Sequence, residues 1–142
     1  MADAAAEIRE LIERRAAAIR ARDVDGSLSA YAPDVVAFDL IEPLQYRGSD
    51  AVRQRLEQWF SSFDGEIGYE NREVGIEAGE EVAFAHSLDH VNGRTTDGKT
   101  LDMWWRATLC FRKTGGRWLV THSHTSVPFD MKTSIALLDL EP

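Results

Sequence analysis

Cysteine occurs once in the 142 residues, at position 110. A lone thiol excludes an internal disulfide and any cysteine-based zinc site, and Cys110 reads as a small buried hydrophobe. Basic residues are also scarce: 16 Lys and Arg stand against 24 Asp and Glu, a formal charge of −8. Nucleic acids and anionic membrane surfaces both require a basic face, so neither is expected as a partner. No apolar run approaches the roughly 20 residues that a membrane span needs. The opening MADAAAEIRE has neither the basic n-region nor the apolar run of a secretory signal, and the expected compartment is the cytoplasm. Repeats and low-complexity tracts are missing too. What remains, 44% hydrophobic and 28% charged, is the composition of a globular domain over residues 1–142, long enough to enclose a ligand cavity.

The richest stretch runs from Leu101 to Val127 and carries Trp104, Trp105 and Trp118 with His122 and His124. Met103, Trp105, Ala107, Leu109 and Phe111 alternate with Asp102, Trp104, Arg106, Thr108 and Cys110, the period of two of a strand with one apolar and one mixed face. Thr114-Gly115-Gly116 breaks the pattern and Trp118 to Val127 resumes it, which predicts a long antiparallel hairpin covered on both faces.

Upstream, Ile8, Leu11, Ile12, Arg15, Ala16 and Ile19 fall on one helical face. Arg15 sits in the middle of that apolar stripe. Its head either snorkels out to water or is aimed into a cavity beneath the helix. Asp23 to Tyr31 predicts a second short helix stopped by Pro33, with Leu28 and Tyr31 inward, and Asp34 to Leu40 a strand with Asp39 near its end. A third helix is expected over Ala51–Phe60, capped by Ser49 or Asp50, with Val52, Leu56, Trp59, Phe60 and Phe63 on its apolar face. Two strands follow, Ile67 to Glu77 and Val82 to Asn92. The second carries Val82, Phe84, His86, Leu88 and His90 on the face expected to look inward. Asn92-Gly93 and Asp97-Gly98 bracket the connection onward, and a tail holding Ile135, Leu137, Leu138 and Leu140 is expected to pack on the body.

Helix, helix, strand, helix and a four-stranded meander make an α+β layer. With YAPDVVAFD early and WRATLCFRKTGGRWLVTHSHTS late, nearly the whole chain resembles the nuclear-transport-factor-2-like superfamily, most closely its SnoaL-like and ketosteroid-isomerase-related members. It also resembles the association domain of calcium/calmodulin-dependent protein kinase. The resemblance implies a cone-shaped, curved antiparallel sheet with three helices from the N-terminal half on its concave face. The convex face is left for a second copy, so a homodimer is expected.

The same resemblance implies a metal-free acid/base enzyme on a small organic molecule (isomerase, cyclase, hydrolase or dehydratase), or else a non-catalytic ligand-binding or oligomerisation module. Asp39 falls where the isomerases carry their general base, and Asp39 or His86 would move the proton. A loop-entry aspartate bound to backbone amides is the other reading of Asp39. The isomerase tyrosine on helix one corresponds to Arg15, and its neutral aspartic acid falls on or beside Ala107, so the usual dienolate stabilisation is missing. The pocket is instead expected to be cationic and aromatic: Arg15, Tyr31, Trp59, His90, Trp104, Arg106 and Thr108, with Ser123 and Thr125, would surround a small, anionic ligand. Arg106 has a second reading as a cross-strand partner of Asp102 or Glu73. Arg15 is expected to meet Asp39, the nearest acid by family geometry. No cofactor is expected. A metal on the histidines is not expected either, because this register leaves His122 and His124 on the interface face.

Overall fold

The computed structural model describes residues 3–142. Asp3 caps the first helix by accepting the Ala5 amide at 3.0 Å. Helix α1 (Ala4–Arg20) then turns Ile8, Ile12, Ala16 and Ile19 into the core. Asp23 repeats the device at 2.9 Å to the Gly26 amide, and α2 (Val24–Leu28) is a single short stretch. It ends before Tyr31, which opens strand β1 (Tyr31–Phe38), earlier than the sequence pattern predicts. Pro33 favours extended backbone at the residue before it, and this draws Tyr31 and Ala32 into the strand.

After the two-residue β2 (Tyr46–Arg47), α3 (Ser49–Ser61) is entered through Gly48, at φ 88°. Glycine reaches this left-handed region without strain. Gly48 therefore holds the N-cap position expected of Ser49 or Asp50. Phe63 belongs not to the helix but to the next strand.

The meander consists of β3 (Phe63–Ala78), β4 (Val82–Thr95), β5 (Thr100–Thr114) and β6 (Arg117–Ser126). The strand order is β2-β1-β6-β5-β4-β3, in a curved sheet that does not close. Every pairing is antiparallel except β1 with β6, which run parallel, with His122 opposite Val36 and His124 opposite Phe38. The three helices cover the concave face, as expected.

Two buried clusters fill the space between them. One joins Ile8, Ile12 and Leu28 to Val35, Phe111 and Trp118; the other joins Ala16, Ile19 and Phe60 to Ile67, Val91 and Met103. The Trp118 indole donates to Glu7 at 3.0 Å and ties β6 to α1. Arg22, beyond the end of α1, donates to the carbonyls of Phe60 and Phe63 and fixes the α3–β3 corner. The tail meets the body less fully than expected: Ala136 bridges Phe129, while Ile135 and Leu138 remain 66% and 51% exposed. Among the described residues, no helix is long and apolar enough to cross a membrane.

Candidate functional site

The two buried clusters do not meet everywhere. Between the helices and the concave face lies a cavity of about 460 Å³, within the size range of small-molecule sites. Its walls are mostly apolar, and Trp59 and Trp105 meet edge to face in its lining with ring centroids 6.2 Å apart. Small side chains make the room: Ala37 on β1, Ala85 and Ser87 on β4, and Ala107 on β5 all face inward.

The polar part of the cavity is one network. Asp89, 3% exposed, accepts from the Tyr69 hydroxyl at 2.6 Å, from Asn71 Nδ2 at 2.8 Å and from Ser87 Oγ at 2.7 Å. Arg15 reaches the same place from α1, beside Tyr69 and Asp89, with its guanidinium carbon 5.6 Å from the Tyr31 ring centroid. Burial works hardest against the Arg15 charge. Tyr31, Tyr69 and Asp89 together outweigh it, and the pKa is raised above the ordinary arginine value. For Tyr69, burial first and the Asp89 charge second push the phenol well up, against a smaller lowering by Arg15. Tyr69 is therefore a neutral donor to a charged acceptor, a strong type of hydrogen bond.

On the more open side, Asp39 lines the cavity beside Leu40, Ile41 and the tail residues Ala136 and Leu138. Its Oδ2 takes the Arg55 Nε at 2.9 Å, and its Oδ1 takes the Leu40 amide at 2.6 Å. The backbone bond expected of a loop-entry aspartate is present together with an ion pair from α3.

Of the residues expected at the pocket, Arg15, Tyr31, Asp39, Trp59, Ser123 and Thr125 line the cavity, and Thr108 borders it although its pairing with His86 puts it in the outward register. Four do not. His86, His90, Trp104 and Arg106 lie on the opposite, convex face. The reason is register: β4 and β5 pair His90 with Trp104 and Asp89 with Trp105, so each pair shares a face. Trp105 belongs to the apolar face that meets the helices, and Asp89 is carried inward with it. His90 instead stacks on Trp104 at 4.4 Å and holds Glu70 at 3.2 Å and Asp102 at 2.7 Å. His86 stacks near Phe84, at 6.4 Å between centroids. Arg106 donates to Ser126 Oγ at 3.2 Å, so its partner is neither Asp102 nor Glu73. His122 and His124 flank Phe38 with centroids 4.7 and 5.3 Å away.

Arg15 enters the cavity, where the carboxylate whose charge acts on it is Asp89, beyond ion-pair distance, while Asp39 has Arg55 as its partner. The residues missing from the sequence reading are thus Tyr69, Asn71, Ser87, Asp89, Arg55 and Trp105. Alternation does carry a signal for four of them. Tyr69 and Asn71 share a face of β3, and Ser87 and Asp89 share the small-residue face of β4.

The comparisons with known proteins agree on the architecture. The SnoaL-like domain model matches residues 8–130. A Pseudomonas putida KT2440 structure described as an NTF2-like protein of unknown function is 40% identical over 98% of this chain and 96% of that one, with a TM-score of 0.90. A ketosteroid isomerase-like protein from Erwinia carotovora atroseptica SCRI1043 is 20% identical over 89% of this chain and 97% of its own, with a TM-score of 0.75. A Xanthomonas campestris protein assigned as a calcium/calmodulin dependent protein kinase II association domain is 17% identical, over 94% of this chain and 88% of its own, with a TM-score of 0.74. None of the curated proteins matches the chain significantly.

Proposed function

The chain belongs to the SnoaL-like family, and we propose that it is a small-molecule-binding domain that encloses a largely apolar ligand between its helices and the concave sheet face. The observation that carries this reading is the cavity itself: about 460 Å³ of space, with apolar walls and the Arg15–Tyr69–Asp89 network at one place. Close-packed interiors leave few voids larger than a water molecule, and a space of this size costs stability that a bound ligand would restore.

Within this reading Asp39 is the group suited to exchange a proton with the ligand. It lines the cavity near its opening, its side chain is 25% exposed, and one ion pair and one backbone amide hold it in place. Asp89 is the poorer candidate because three donors already occupy its oxygens. His86 faces away from the cavity and takes no part. The uncovered convex face is proposed as the contact with a second copy of the chain, the kind of role the name of the Xanthomonas association domain describes.

The test is a panel of small aromatic and alicyclic molecules screened by thermal shift against wild type, Ala107→Phe and Asp39→Asn. Ala107 lines the cavity and is 9% exposed, so a phenyl group there fills the space. Ligands that stabilise wild type should not stabilise Ala107→Phe. Asp39→Asn should bind as wild type does and lose any turnover of a bound ligand. Equal stabilisation of the filled variant would sink the binding reading, and turnover retained by Asp39→Asn would remove Asp39 from the chemistry.

A further inference from the structure

The cavity is not equally anchored on all sides. Helices α1 and α3 meet the sheet in the two buried clusters, and the strands of that sheet share backbone ladders. The side near Asp39 is closed instead by Ala136 and Leu138 of the C-terminal tail. Strand β6 ends at Ser126, and Val127 packs against the second cluster. Pro128 follows, with no N–H to extend the ladder.

Beyond that point the tail is bonded only to itself. Asp130 N donates to Ile135 O, Ser134 N to Asp130 O and Leu137 N to Pro128 O, each at 2.8 Å. The Asp130 carboxylate holds the same turn, accepting the Lys132 amide at 2.7 Å and the Thr133 amide at 3.2 Å. Thr133 Oγ1 accepts the Ile135 amide at 3.2 Å. Among the described residues, no hydrogen bond or ion pair joins this unit to the helices or the sheet. Every residue from 131 to 140 is exposed except Leu137, which is partly buried.

Swinging the unit about Val127–Pro128 therefore breaks none of its own bonds and uncovers little apolar surface. Local openings with so few buried contacts lie at the low end of the free-energy scale. The opposite lip of the mouth lacks this freedom. There Asp39 takes the Leu40 amide and the Arg55 guanidinium, which ties the lip to α3.

We propose that residues 128–140 form a gate, which turns as one body about Val127–Pro128 to admit a ligand and then brings Ala136 and Leu138 down over it. The gate rests on the binding reading above. Its closure removes water from Asp39, the proton-exchanging group of that reading, and a bound molecule gives Leu138 further apolar contact.

Stopped-flow binding of N-phenyl-1-naphthylamine, a neutral probe whose fluorescence rises on leaving water, tests the gate in the full chain. Ile41 and Leu138 stand at the mouth, 45% and 51% exposed. Ile41→Cys/Leu138→Cys with Cys110→Ser, joined by a flexible bis-maleimide, pins the tail to the opposite lip. The joined protein should take up and release the probe severalfold more slowly than the same variant unjoined. Asp130 does not line the cavity, so Asp130→Ala loosens the turn without touching the probe. Release should then be severalfold faster, whereas Asp130→Asn, which keeps the acceptor oxygen, should stay close to wild type. Rates unmoved by pinning, or release indifferent to Asp130→Ala, overturn the gate and leave the binding reading standing. No binding to wild type, or equal binding to the filled Ala107→Phe, overturns both.

Discussion

Arg15 interrupts an apolar helix stripe, and the chain tolerates it because Asp89 is carried to the same place by β4. Asp89 is held by three hydrogen-bond donors, whereas the Arg15 charge has no carboxylate at ion-pair distance and feels Asp89 through space. Asp89 is 3% exposed and cannot recover water, and Arg15 Nε is covered and unbonded. Removing one charge leaves the other buried without its counter-charge, which costs at most the roughly 3–5 kcal/mol of a broken buried pair in direct contact. Arg15→Met and Asp89→Asn are each expected to lower stability by up to that amount in urea denaturation. Their combination should recover most of it, a coupling visible as strong non-additivity. Additive losses would mean that the two charges do not act as a pair.

Tyr69 adds a pH dependence with a definite sign. Its phenol pKa is raised in the folded chain, whereas in the unfolded chain it ionises near the ordinary value of about 10. Above that pH the unfolded chain gives up the proton and the folded chain keeps it. The folded state then binds more protons, and stability falls as pH rises. The contribution is fully present below about pH 10 and is lost on the alkaline side. Tyr69 should resist ionisation in an absorbance titration until the fold opens. Tyr69→Phe should abolish that late step.

At the scale of elements, the hairpin β5–β6 and the apolar face of β5 were legible because an unbroken alternation of large apolar residues has only one place to go. The face of β4 was not. Its even positions, Val82, Phe84, His86, Leu88 and His90, are bulkier and look like a core. Yet a cavity needs the small ones, Ala83, Ala85 and Ser87, on its side. The turn between the strands holds the answer. Thr95 N donates to Lys99 O across Asp97-Gly98, with Gly98 at φ 83°, so odd residues of β4 face odd residues of β5. Asn92-Gly93 competes with it as a turn signal, and the sequence alone does not choose between them. In the fold Gly93 is a strand residue whose bare Cα admits the Phe63 ring: a Cβ there would lie 2.9 Å from Phe63 Cδ1 and 3.0 Å from the Glu66 carbonyl. Phe63 is 4% exposed and has little room to yield. Gly93→Ala should therefore cost about 1–3 kcal/mol, the usual range for an overpacked core, read as a lower urea midpoint at constant m-value. The Asp89 network was hidden for the related reason that its members come from three elements, and only pairing register brings them together.

At the scale of the whole molecule, the helices cover one face of the sheet and leave the other open. That outer face carries Phe84 and Val82, 45% and 60% exposed, at one end of β4, and further along the strand the His90–Trp104 stack, over which Arg72 lies at 5.1 Å from the indole centroid. It carries both signs of charge, Arg72 and Arg106 against Glu70 and Asp102, so it can oppose itself across a two-fold axis with unlike charges in contact. A basic or acidic partner would have selected one sign. The proposed second copy satisfies the apolar and the charged residues together, and the cavity, on the other face, stays accessible in the pair. Light scattering should accordingly give twice the mass of the chain at micromolar concentration. Phe84→Glu places a charge on the proposed contact face and should shift the equilibrium towards monomer. Its circular dichroism and its binding of cavity ligands should be unchanged, since Phe84 touches neither the core clusters nor the cavity. A wild-type monomer at that concentration, or a dimer indifferent to Phe84→Glu and Val82→Glu together, would assign the outer face to something other than self-association.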